Sequence, residues 1–120
     1  MADTYTDEQL ERGREKLRNA HAWRLKNPRA WAYLENIALQ SAQDGKRVGG
    51  QQLVEAVRSH DFTDTEGKAT RTNNDYAPII ARLLISDHPH LNAFIERRGC
   101  VFDVLMFPIL EDKWADHDEQ

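Results

Sequence analysis

Asp87, His88 and His90 fall within one short stretch, and His60-Asp61 adds a second imidazole and carboxylate, so metal binding is the first chemistry these residue types raise. The spacing argues against it. A helical metal pair places its ligands at i and i+4, a zinc knuckle pairs cysteines, and this chain has one cysteine, Cys100. His88 and His90 straddle Pro89 at a helix start, where capping is the simpler role. Nucleophilic catalysis fares no better, because Ser41, Ser59, Ser86 and Cys100 sit in no nucleophile elbow or glycine-rich loop. Cys100 reads as a buried apolar residue. No G-x-x-x-x-G-K-[ST] or G-x-G-x-x-G segment offers a phosphate cradle. The residues therefore predict no catalytic group, no metal and no cofactor.

The remaining chemistry is cationic. Arg58, Lys68, Arg71, Arg82, Arg97 and Arg98 all lie in the second half, beside Asn73 and Asn74, whose amides can cap helices or read bases. The formal net charge of −4 speaks against phosphate binding, which needs Lys and Arg. Its distribution speaks for it. Residues 12–102 carry fifteen Lys or Arg against ten Asp or Glu, whereas 1–11 carry four acids and no base and 103–120 carry six acids and one base, Lys113. Acidic tails on a basic body can screen a nucleic-acid site or simply keep the protein in solution. Scattered arginines equally serve to solvate helices.

Local patterns predict the elements that would position these side chains. Thr6-Asp7-Glu8-Gln9 has capping-box form, so a helix is expected from there to about residue 26, with a narrow apolar stripe of Leu10, Leu17, Ala20, Trp23 and Leu25. Asn27-Pro28 starts a second helix whose Trp31, Leu34, Ile37, Ala38 and Ser41 recur at steps of three and four, until Asp44-Gly45 stops it. Gly49-Gly50 breaks the chain before a third helix over 51–60. Residues 61–72 lose periodicity and fit a hairpin with Gly67 at positive φ, or an irregular loop. Asn73-Asn74-Asp75 caps a fourth helix bearing Pro78, and His88-Pro89 starts a fifth that Gly99 ends. Composition and length fit one mainly α domain, a compact bundle of about five helices with a possible small β-hairpin, similar to a winged helix or helix-turn-helix. In domain terms, 1–26 form an N-terminal amphipathic helix, 27–102 the helical core, and 103–120 an apolar arm and acidic tail.

The stretch 100–110 is apolar and reads as extended. It either covers its own core or, if exposed, offers Val101, Phe102, Leu105 and Phe107 to a partner or a second copy of the chain. No apolar run reaches the ~18 residues of a membrane span, and Met1-Ala-Asp-Thr has no secretory character, so a cytoplasmic protein is expected.

Arg71-Thr-Asn-Asn-Asp-Tyr76-Ala-Pro78-Ile-Ile-Ala-Arg82-Leu-Leu, followed by His88-Pro89-His-Leu91 and Phe94-Ile-Glu96-Arg97-Arg98, resembles a recurrent motif of small phage and prophage proteins. The resemblance extends back to Gly49-Gly50-Gln-Gln-Leu53 and spans about residues 27–102. It implies a phage-type origin, a bacterial host cell and a compact helical domain, and no particular mechanism.

Two function classes follow from these observations. One is a non-enzymatic accessory protein that binds DNA through Arg58, Lys68, Arg71, Asn73, Asn74, Arg82, Arg97 and Arg98 on a winged-helix-like basic face. The alternative is an inhibitor or modulator that docks on a host nucleic-acid-handling or defence complex through the acidic tails or the apolar arm.

Overall fold

Thr6 and Gln9 close the capping box that their spacing predicts. The Gln9 amide donates to Thr6 Oγ1 at 3.1 Å and the Thr6 amide donates to Gln9 Oε1 at 2.8 Å. In the computed structural model, which describes residues 5–96 and 100–106, this cap opens α1, Asp7–Lys26. Asp7 and Glu8 lie at its positive end and Arg24 and Lys26 at its negative end, as the helix dipole favours. Only Gly13, Ala20 and Trp23 are buried along it, a narrow stripe that lays the helix across the body. Leu25, expected in that stripe, is instead 66% exposed.

Asn27 is the whole connection to α2, Pro28–Gln43. Its backbone and side-chain amides both donate to Trp23 O, at 2.9 Å each, ending α1, and Pro28 then occupies the first turn, where it removes no hydrogen bond. Ala30, Trp31, Leu34 and Ala38 are buried, and Gly45 at φ +71° turns the chain after the helix. Strand β1, Val48–Gly49, runs directly into α3, Gly50–Arg58, which buries Leu53, Val54 and Val57. A Cβ on Gly50 would stand 2.3 Å from Ala77 O, so glycine here lets α3 meet the start of α4 backbone to backbone.

Residues 59–73 form a loop with one antiparallel bridge, Thr63 to Ala69, and Gly67 at φ +81°, a minimal version of the expected hairpin. Asn73 Oδ1 accepts from the Asp75 amide at 2.8 Å and opens a 3-10 turn, Asn74–Tyr76, that leads into α4, Ala77–Asp87. The expected fifth helix is replaced. Pro89–Ala93 is a 3-10 turn, with the Leu91 amide donating to His88 O and the Phe94 amide to Leu91 O, and Ile95–Glu96 is strand β2. β2 pairs in parallel with β1 in the register Val48 to Ile95 and Gly49 to Glu96. The three residues of Phe94-Ile95-Glu96 that periodicity places on a helix instead supply a sheet edge whose partner lies far away in sequence. The fifth α-helix, α5, is Val101–Leu105, inside the stretch expected to be extended.

Two apolar clusters hold the elements together. The larger joins α2, α3 and α4 through Leu34, Leu53, Val57, Ile80, Leu84 and Leu91. The smaller packs Ala20 of α1, Ile79 of α4 and Phe102 of α5 with Met106, flanked by Leu17 and Leu83. Each fully buried Leu, Ile or Phe stabilises such a core by about 1.5–3 kcal/mol relative to exposure. This packing corrects the partner-surface expectation for the apolar arm. Phe102 is 6% exposed, Val101 and Leu105 are half-buried over Gly13 of α1, and Phe107 lies outside the described residues. The described part of the arm covers its own core, and α1 and α5 share one cluster with α4. No described helix is long and apolar enough to cross a membrane.

Candidate nucleic-acid interface

The loop 59–73 owes its shape to Asp64. Its Oδ1 accepts from the amides of Glu66 at 2.8 Å and Lys68 at 3.0 Å, while the Asp64 amide donates to Lys68 O at 2.7 Å. The Lys68 amide above all holds its carboxyl below the usual carboxylate range; desolvation opposes, and the Glu66 amide and the charges of Lys26 and Lys68 add to the lowering. The loop is fastened to the α1–α2 junction at three points. Thr65 N–H donates to Lys26 O at 2.9 Å, Thr70 Oγ1 donates to Asn27 Oδ1 at 2.8 Å, and Trp23 Nε1–H donates to Arg71 O at 2.8 Å.

That attachment leaves an open cleft of about 520 Å³ between the junction and the loop, walled by Trp23, Asn27, Asp64 and Ala69 and rimmed by Lys26, Lys68 and Arg71. Lys26 lies 3.9 Å from Asp64 and 3.8 Å from Glu66, and Lys68 lies 3.8 Å from Glu66. The two contacts to Glu66 are long and solvent-exposed, of the kind worth little, and the Lys26 contact to the largely buried Asp64 carboxylate is longer still, so both ammonium groups can turn to an anion. Arg71 is exposed and its guanidinium meets no carboxylate among the described residues. Arg58 completes this side, donating to Thr72 O at 2.8 Å and to Glu55 at 3.1 Å.

The eight cationic and amide positions singled out from the sequence thus separate. Arg58, Lys68 and Arg71 gather along the loop. Asn73 and Asn74 follow it but are engaged, Asn73 as the cap and Asn74 Oδ1 as acceptor from Gln51 at 3.2 Å. Arg82 is a correction: its side chain is 1% exposed, paired through Nε to Asp103 Oδ1 at 2.7 Å and through Nη2 to Asp103 Oδ2 at 3.1 Å, with Nη1 donating to Pro78 O at 2.9 Å. A guanidinium so placed ties α5 to α4 and reaches no ligand in solution. Arg97 and Arg98 lie outside the described residues. A helix-turn-helix reader joins two helices by three or four residues. Here residues 59–73 separate α3 from α4, and α4 is followed by a 3-10 turn.

Several features have no place in the sequence reading. Lys26 enters the rim because Asn27 turns the chain there. Arg24 pairs with Asp87 and lies 4.2 Å over the Trp31 ring, and His88 Nε2 meets Glu35 at 2.7 Å. His88, weighed as a metal ligand, is thus engaged by Glu35, and among the described residues no three His, Cys, Asp or Glu side chains are placed to hold a metal ion. Comparison of the chain with protein-family models, with curated proteins and with solved structures gives no match.

Proposed function

We propose that this chain is a non-enzymatic nucleic-acid-binding accessory domain that seats a phosphate backbone in the cleft between the α1–α2 junction and the 59–73 loop. The observation that carries the proposal is the convergence of Lys26, Lys68 and Arg71 on one rim, with Asp64 Oδ1 committed to loop amides and Oδ2 no nearer than 3.9 Å to Lys26. Backbone phosphates are the common target of such exposed cations, and these contacts position a strand without reading its sequence. The alternative, docking on a host protein through the acidic tails or the apolar arm, gains no support at Phe102, which is buried, or at α5, which Arg82 clasps; Phe107 and the C-terminal tail lie outside the described residues.

Fluorescence anisotropy with a labelled oligonucleotide at stepped salt tests this function. Three neutralised phosphates give a slope of about −2.7 in log K against log salt on duplex, or about forty-fold weaker binding between about 50 and 200 mM. Replacing Lys68 and Arg71 together by alanine is expected to reduce the slope to about −0.9. No binding at low salt, or a slope unchanged in the double variant, removes the proposal.

A further inference from the structure

Three rings cluster where the same loop leaves α3. Tyr33 of α2 lies 4.5 Å from His60 and 5.2 Å from Phe62, centroid to centroid, and His60 and Phe62 are near-parallel, with 24° between planes and 5.8 Å between centroids. Hydrogen bonds fix the imidazole. Ser59 Oγ donates to Ala56 O at 2.8 Å, so its oxygen is left to accept, and His60 Nδ1 lies 3.2 Å from both that oxygen and Ala56 O. Both neighbours call for a proton on Nδ1, which leaves Nε2 to accept from Tyr33 Oη at 3.2 Å. His60 is exposed, while Tyr33 and Phe62 rest partly on the core.

The loop segment that carries Phe62 is tied through Thr70 to the wall of the cationic cleft. Thr70 N–H donates to Phe62 O at 2.9 Å, and the Thr70 hydroxyl donates to Asn27 Oδ1 on the cleft wall, so two hydrogen bonds span the distance from rings to cleft. Arg29, exposed and without a carboxylate partner among the described residues, stands one helical turn before Tyr33. A phosphate groove beside fixed, partly exposed rings is the arrangement by which proteins hold single strands, whose unpaired bases can stack on aromatic faces.

We infer that Tyr33, His60 and Phe62 form a stacking platform for an unpaired base, so that the nucleic acid taken by this chain is single-stranded. The inference rests on the phosphate-cleft function proposed above and goes further by assigning the strand state and the residues that select it. A duplex keeps its bases stacked inside and can use only the cationic rim. A single strand uses rim and rings together. Asp61, exposed between His60 and Phe62, opposes the phosphates flanking the stacked base and holds the affinity down.

The test is anisotropy at low salt with a labelled thymidine oligonucleotide and with the same strand in duplex form, using the full chain. The wild type is expected to prefer the single strand. His60→Ala, at an exposed position where folding is not at stake, and Tyr33→Leu, checked by its melting curve, are expected to weaken single-strand binding about five-fold or more and to leave duplex binding unchanged. Asp61→Asn is expected to strengthen single-strand binding. Lys68→Ala/Arg71→Ala should weaken both. Equal binding of both forms, with His60→Ala silent, overturns the stacking platform while the phosphate cleft stands. Loss of both forms in His60→Ala also overturns it, since a ring that only stacks bases cannot weaken a duplex. Absence of binding to either form removes both proposals.

Discussion

Removing the Asp103 carboxylate should destabilise the protein more than removing the Arg82 guanidinium it faces. Arg82 is 1% exposed and Asp103 37% exposed, so the two halves of the ion pair stand in different surroundings. Asp103→Ala leaves a buried cation without that carboxylate, and it also deletes the acceptor that Cys100 N–H uses at 2.9 Å at the start of α5. Breaking a buried pair from one side costs about 3–5 kcal/mol, and the partial exposure of Asp103 places this case near about 3 kcal/mol. A domain of this size loses about 4 °C of melting temperature per kcal/mol, so the midpoint should fall by about 12 °C. Arg82→Met keeps an apolar side chain at a buried position of α4 and leaves a carboxylate that water can reach, for a loss of about 1 kcal/mol. The double variant should lie closer to Arg82→Met than the sum of the two. Thermal melts followed by far-UV circular dichroism decide the matter. Equal losses in the two single variants, or strict additivity in the double, would refute the clasp. Arg82→Met should also bind oligonucleotide as the wild type does.

Gly50→Ala should destabilise by about 2 kcal/mol or more in chemical denaturation, because its Cβ would meet backbone at Ala77 O, whereas Gly13→Ala should change stability by under about 0.5 kcal/mol. At Gly13 the clash at 2.8 Å is with the movable end of Leu105, and alanine's helix preference of about 1 kcal/mol offsets it. The folded state lowers the Asp64 carboxyl, so its contribution is present above the ordinary carboxylate value and is lost as pH falls through the lowered one. The stability gap between wild type and Asp64→Asn, measured by denaturation across pH, should therefore hold near neutrality and narrow below about pH 4; a gap that widens on acidification contradicts the assignment.

The sequence spelled out the elements whose signals are local. Thr6 and Gln9 closed their box, Pro28 and Gly45 bounded α2, and Gly67 took the positive φ its loop position asked for. Most of the misses concern partners distant in sequence. Ile95 and Glu96 join a strand nearly fifty residues away, so their apolar spacing gave no hint that they leave the helical pattern. Val101–Leu105 is too short for periodicity to distinguish helix from strand. Charge taken residue by residue puts Arg82 on a cationic face. The signal against that was present: Ala77-Pro-Ile-Ile-Ala-Arg-Leu-Leu-Ile is apolar on every side of a helix, which marks a buried element. Asp103, the lone acid inside an apolar run, was its natural partner. Of the cationic site, Arg58 at the end of α3 and the loop residues Lys68 and Arg71 were legible, whereas Lys26, Tyr33 and His60 join them only through the fold.

Amide chemical-shift mapping during titration with an oligonucleotide at low salt addresses the proposed cleft most directly. Perturbations should concentrate at residues 26–29 and 60–71, with the α5 amides and those around Arg82 silent. Shifts centred on Lys46-Arg47 or on α5, with the 60–71 loop unmoved, would contradict the assignment.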